Sequence, residues 1–118
     1  MEKKEFKSQN EIRITLRTNG EYKRVYLKDI NCITSDSYLS IVNLVNPEIP
    51  ITVTKLLKEF EEDLSDYGFI RISRDKIVNK IHMVSIKDCK NREIVVKGCK
   101  NMVISRRYYP EIIKLFDK

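Results

Sequence analysis

Few residues in this chain carry chemistry of their own. One histidine, His82, and three cysteines, Cys32, Cys89 and Cys99, supply all the imidazole and thiol groups among its 118 residues. The cysteines form no C-x-x-C pair, and a single histidine does not complete a zinc set with them, so no metal site is expected. Reduced thiols packed as small hydrophobes in a cytoplasmic protein are the expected state. A Cys–His nucleophile would need His82 beside Cys89 or Cys99, and nothing in the sequence activates such a pair. The carboxylates Glu59, Glu61, Glu62 and Asp63 crowd one stretch, where a solvated helix face explains them more simply than acid–base work. The glycines at 20, 68 and 98 are isolated, which excludes a phosphate-cradling loop. No catalytic set and no cofactor site assembles, so the chain is not expected to be an enzyme.

The cations behave differently. Residues 1–65 hold ten Lys/Arg against eleven Asp/Glu, whereas residues 66–118 hold thirteen against six. The formal charge of +6 therefore comes wholly from the second half. Such asymmetry points to an anionic partner, or else to a solvated Lys-rich surface. The arginines fall beside turns rather than along faces. Arg71 and Arg74 flank a strand end, Arg92 and Lys97 bracket a strand, and Arg106-Arg107 open the last helix. Turn-borne guanidinium groups suit bidentate contact with guanine edges and phosphates. Arg71 lies inside an apolar strand, and an ion pair with Asp66 or Asp75 is its alternative.

Short strands must position these side chains. Glu11–Thr18 alternates Ile12, Ile14 and Leu16 with polar residues, the period of a half-buried strand. Asn19-Gly20 is a strong hairpin signal and returns the chain through Tyr22–Leu27. Ile30–Thr34 and Tyr38–Val45 follow, split by Ser35-Asp36-Ser37, and Asn46-Pro47 turns the chain into Ile49–Val53, with Pro50 suited to an edge. Thr54 is the expected N-cap of a helix to about Ser65, with Leu56, Leu57, Phe60 and Leu64 on its apolar face and its acidic residues outward. Phe69–Ile72, Ile77-Val78, Ile81–Ile86, Glu93–Lys97 and Met102–Ile104 read as strands. Ser105 can cap a closing helix to about Phe116 in which Pro110 occupies or kinks the first turn. Many short strands with one secure helix and no βαβ alternation exclude a doubly wound nucleotide fold. No apolar run approaches the roughly 18 residues of a spanning helix, so no membrane insertion is expected.

From about Glu11 to Phe116 the sequence resembles the LytTR-type (LytR/AlgR) DNA-binding domain of bacterial transcription regulators. The resemblance rests on Val25-Tyr26-Leu27-Lys28-Asp29-Ile30 with Ile33, then Tyr38, then the helix ending at Leu64. Phe69-Ile70-Arg71-Ile72-Ser73-Arg74 with Ile77-Val78-Asn79 follows, and Val103-Ile104-Ser105-Arg106-Arg107-Tyr108 closes the series. It implies a mainly β, β-rich α+β fold: an elongated arrangement of small antiparallel sheets with one central helix and a short C-terminal helix. Residues 1–10 would be a frayed polar lead-in and residues 11–118 the DNA-binding domain.

The same resemblance implies a sequence-specific double-stranded DNA-binding regulator whose loops read successive major grooves on one side of a bent duplex. It matches Arg74, Arg107, Ser37 and Tyr38 to base-reading positions. Arg92, Lys97, Asp75, Arg106 and Arg71 fall to the phosphates, although Asp75 can instead cap a turn or pair with Arg71 or Arg74. Asn79 would fix local backbone. Homodimers on paired half-sites are expected, because one module is small. Most such regulators carry a receiver domain upstream. This sequence has none, so it reads as a stand-alone regulator or as the effector part of a longer one with an unknown upstream partner. The rival readings are a non-catalytic protein-interaction or anionic-surface-binding module and a small thiol enzyme, and neither explains arginines in turns.

Overall fold

The structure, a computed structural model, describes residues 5–45, 47–87 and 91–116. Asn46, half of one expected turn, and Cys89 lie outside them. The chain begins with a hairpin, β1 (Arg13–Thr18) and β2 (Glu21–Tyr26), joined at Asn19 and Gly20 with φ of +49° and +76°. Both turn residues adopt the left-handed conformation that a two-residue hairpin requires. A single helical turn, Leu27–Asp29, leads into β3 (Ile30–Asp36), which pairs with β4 (Leu39–Leu44) across the turn Ser37-Tyr38. Of the expected break Ser35-Asp36-Ser37, the first two residues are therefore strand, and the turn takes in Tyr38, expected to open the next strand. Pro50 opens β5 (Pro50–Val53), an edge strand where its missing N–H disrupts no ladder.

Helix α1 spans Leu57–Leu64, and Leu56 rather than Thr54 is its N-cap. Thr54 cannot start it because the next residue is tied to the sheet: buried Ser40 donates its hydroxyl to the Lys55 carbonyl (2.6 Å). Glu59 reaches back instead to accept the Leu56 N–H at 2.9 Å, half of a capping box. Leu57, Phe60 and Leu64 are buried as expected, whereas Leu56 is half exposed. A short turn, Ser65–Tyr67, ends at Gly68 with φ +89°. The chain then enters β6 (Phe69–Ser73), β7 (Lys76–Asn79), the turn Lys80–His82 and β8 (Met83–Ile86). His82 thus sits in that turn rather than in a strand. Strands β9 (Glu93–Val96) and β10 (Met102–Val103) precede helix α2 (Tyr109–Phe116), which holds Pro110 in its first turn.

The strands form antiparallel sheets in the orders β1-β2, β5-β4-β3-β7-β6 and β10-β9-β8. The five-stranded sheet is buried on both faces at its centre, so neighbouring residues serve different cores. Ile33, Ile77 and Phe69 face one core with α1 and the hairpin. Cys32, Val78 and Ile72 face the other with β9, β10 and Ile112 of α2. This two-sided burial explains the unbroken apolar pairs Cys32-Ile33 and Ile77-Val78. The extents are 43 × 28 × 24 Å, the elongated shape that was expected.

Residues 5–10 are docked rather than frayed. The Lys7 N–H donates to the Asp66 carbonyl (2.7 Å), and Gln9 is buried. Gln9 Nε2 donates to the carbonyl of Tyr67 and to Asn79 Oδ1, both at 2.7 Å. Asn79 Nδ2 in turn donates to the carbonyls of Leu27 (3.1 Å) and Ile30 (2.8 Å). Two buried amides thereby satisfy backbone groups where three segments meet.

Candidate nucleic-acid interface

The register of β3 against β7 decides which turns share a surface. Thr34 pairs with Lys76, and the Ser35 N–H donates to the Asp75 carbonyl at 2.9 Å. The turns Ser37-Tyr38 and Arg74-Asp75 therefore lie side by side at one end of the sheet. Next to them the Ser105 N–H donates to the Ile72 carbonyl (2.8 Å), which brings up the turn Arg106–Tyr108 ahead of α2. Arg106 and Arg107 thus precede the helix instead of forming its first turn. The Ile104 N–H donates to the Arg92 carbonyl (3.0 Å) and Arg92 Nε donates to the Ile104 carbonyl (2.9 Å), which adds Arg92 to the row.

Each turn presents its side chain from a held backbone. Tyr38 is 85% exposed at its tip, beside Ser37 with φ +57°. Arg92, at φ +50°, also has the left-handed conformation that non-glycine residues seldom adopt. Arg74, Arg106 and Arg107 are exposed, and the Arg107 guanidinium stands 5.4 Å from the centroid of the Tyr108 ring. Arg92 and Arg106 line one shallow cleft.

Arg71 has a different employment from its neighbour Arg74. Its Nη1 meets Glu61 Oε1 of α1 at 2.9 Å, its Nε donates to the Ser73 carbonyl (2.8 Å), and its Nη2 donates to the Arg74 carbonyl. The ion pair is with Glu61, not Asp66 or Asp75, and Glu61 is half-buried rather than fully outward. The side chain that resemblance assigned to phosphate is occupied in shaping the turn that carries Arg74. Asp75 is similarly engaged. Its carboxylate accepts the Ser73 hydroxyl (2.8 Å) and pairs with Lys76 (3.4 Å), and the Ser73 bond chiefly holds its pKa below the ordinary carboxylate value. It touches neither Arg71 nor Arg74 in these bonds.

Lys97 stands apart. It follows β9 at the end opposite Arg92, where Asn31 Nδ2 donates to its carbonyl (2.9 Å). Asn31 and Asp36 are five residues apart along β3, roughly 17 Å at about 3.3 Å per residue. The fold thus brings together Ser37, Tyr38, Arg74, Arg92, Arg106 and Arg107, and leaves Lys97 at the far end. The sequence reading missed Glu61 as a partner of this surface. Its position directly after the buried Phe60, on the flank of the apolar stripe, is the signal that marks it.

The LytTr DNA-binding domain model matches residues 20–117. The chain belongs to the LytTR family. Its structure is similar to the LytTr DNA-binding domain of a Bacillus cereus protein described as a methyl-accepting/DNA response regulator. The TM-score is 0.74 at 25% sequence identity, over 90% of this chain and 97% of that one. No curated protein matches the sequence. This LytTR domain has the strand-rich fold of small antiparallel sheets and two helices expected of the family. Among the described residues no helix is long and apolar enough to cross a membrane, and no group of three or more His, Cys, Asp or Glu is placed to hold a metal.

Proposed function

We propose that this LytTR domain is a sequence-specific double-stranded DNA-binding transcription regulator that works without catalysis. The row of turns at one end of the five-stranded sheet carries the proposal, because it aligns exposed arginines on backbone that is hydrogen-bonded in place. Laid along one side of a duplex, the row would put its outer turns, Ser37-Tyr38 and Arg106-Arg107, toward successive major grooves, with Arg74 between them. Arg74 and Arg107 read base edges as bidentate donors, and Ser37 and Tyr38 add contacts at the far turn. Arg92 and Arg106 neutralise phosphates, and Lys97 contributes only where the duplex bends toward the opposite end. Arg71 and Asp75 act through the turn they shape. An anionic Asp75 repels a phosphate, so we assign it no direct contact. Two copies on paired half-sites would supply the affinity that one small module lacks.

Selection of bound sites from randomised duplexes tests the reading and yields the operator. Binding of the selected site should fall with salt at a log–log slope of roughly −4 to −5, as about five phosphate contacts require. A slope near zero, or equal binding to anionic vesicles with no preferred duplex, would replace this reading with that of an anionic-surface module.

A further inference from the structure

Two thiols meet at the end of the sheet opposite the arginine turns. Asn31 is buried in β3 and donates to the Lys97 carbonyl, and Gly98 packs directly on its amide. A Cβ at residue 98 would stand 2.5 Å from Asn31 Nδ2, and Gly98 also has φ +81°, so glycine is required there twice over. With Lys97 and Gly98 fixed on Asn31, the next residue of the loop falls on the next residue of the strand. Cys99 Sγ lies 2.9 Å from Cys32 Sγ. A cleft of about 450 Å³ opens onto the pair between Asn43, Lys76 and Lys100. Cys32 is 3% exposed, and Cys99 is the more accessible of the two.

We propose that Cys32 and Cys99 are a thiol–disulfide pair, oxidised by hydrogen peroxide that enters this cleft, and that the bond clamps the β9–β10 loop onto β3. Cys99 attacks first. The hydrogen bond with Cys99, followed by burial, pushes the Cys32 thiol up, while the same contact pulls Cys99 down and leaves it the better thiolate. Its sulfur attacks a peroxide oxygen: an S–O bond forms, the O–O bond breaks, and the departing oxygen leaves as water. The Cys32 sulfur then attacks the sulfenic sulfur, forming S–S, breaking S–O and releasing a second water with the Cys32 proton. Two thiols lose two electrons and one peroxide becomes two waters. This chemistry is independent of the DNA-binding reading.

The test uses the full chain carrying Cys89→Ser, which removes the third thiol. After hydrogen peroxide, intact mass should show the loss of two hydrogens, neither remaining cysteine should be alkylated, and digestion should yield one peptide linking Cys32 to Cys99. Dithiothreitol should restore both thiols. The oxidised form should melt higher by roughly 10 °C, because the bond closes a long loop of the unfolded chain. In Cys32→Ser, with no resolving thiol, Cys99 should proceed to sulfinic acid. In Cys99→Ser, which preserves the strand residue, peroxide should leave the melting temperature unchanged. Gly98→Ala, which displaces the loop from Asn31 while keeping both thiols, should slow closure several-fold. Sulfinic acid at Cys99 with Cys32 still alkylatable, a bond between chains, or an oxidised form that melts no higher would each overturn the proposal.

Discussion

Of the turns assigned to reading, the two that present an arginine carry it on differently built supports. Arg74 occupies a tight turn between β6 and β7 that is gripped from three directions. Arg71 holds its carbonyl, Ser73 and Lys76 hold Asp75, and the Ser35 N–H holds the Asp75 backbone. Arg107 occupies a turn between sheet and helix, anchored by the bond from Ser105 to Ile72 and by the Tyr108 and Tyr109 N–H groups donating to the Ser105 carbonyl. The first support is made largely by side chains, the second largely by backbone, with Arg92 Nε on the Ile104 carbonyl just ahead of it. Substitutions remote from the DNA should therefore disturb Arg74 and spare Arg107.

The largest effect expected is loss of the readers themselves. Arg74→Ala and Arg107→Ala should each weaken specific binding by about 5- to 150-fold, the roughly 1–3 kcal/mol of a bidentate arginine–guanine contact, and relax preference at one or two base pairs. Competition binding with single-base-pair variants of the selected operator measures this, with melting curves to confirm folding. Full discrimination in either folded variant would end that residue's reading role.

Next in size is the support. Arg71→Met should cost about 1–3 kcal/mol of stability, because it leaves the half-buried Glu61 unpaired and frees the Ser73 and Arg74 carbonyls. It should blur preference at the base pairs that Arg74→Ala affects and leave those of Arg107→Ala alone. Glu61→Gln should reproduce this weakly, and Glu62→Gln, on the exposed face of α1, should change nothing. Site selection with the three variants decides it. If Glu61→Gln and Glu62→Gln behave alike, the ion pair does not support the turn.

Smaller still are the phosphate contacts. Arg106→Ala should weaken binding to all sequences alike and reduce the salt slope by about one unit. Lys97→Ala, at the far end of β9, should change the slope by less. Equal changes in salt titrations would mean that the duplex extends around to the opposite end.

The smallest effect belongs to Asp75. A carboxylate whose pKa is depressed in the fold stabilises the turn above its unfolded value near 3.9, and that contribution disappears as pH falls through the folded pKa. Stability near neutral pH should not vary on its account. A carboxyl resonance titrating below the ordinary value, and returning to it in Ser73→Ala, would confirm the hydroxyl as the main cause.

Much of this was legible in the residues. Alternation and Asn19-Gly20 placed the first hairpin, because side-chain period and positive φ are local properties. Pro50 marked an edge for the same reason, since its missing N–H constrains the ladder wherever it sits. The family, too, was readable from the spacing of two arginine-bearing blocks. The start of α1 was not, because Ser40, far along the chain, decides how long the backbone at Lys55 stays extended. The lead-in was misread because its composition is polar, whereas Gln9 is buried by an amide seventy residues away.

Sequence by itself determined the elements, the cationic second half and the kinds of side chain available for DNA. Only the tertiary structure decided their company. Register between β3 and β7 put two turns together, and the bond from Ser105 to Ile72 added the third. Arg71 and Arg74 are three residues apart and chemically identical, yet one was drawn into an ion pair with a helix and the other left exposed. Strand direction, a bulge between Arg71 and Ser73, and the position of Glu61 on α1 separated them. Those are facts about which segments pack against each other, and a side chain's partners are set by that packing rather than by its neighbours in the chain.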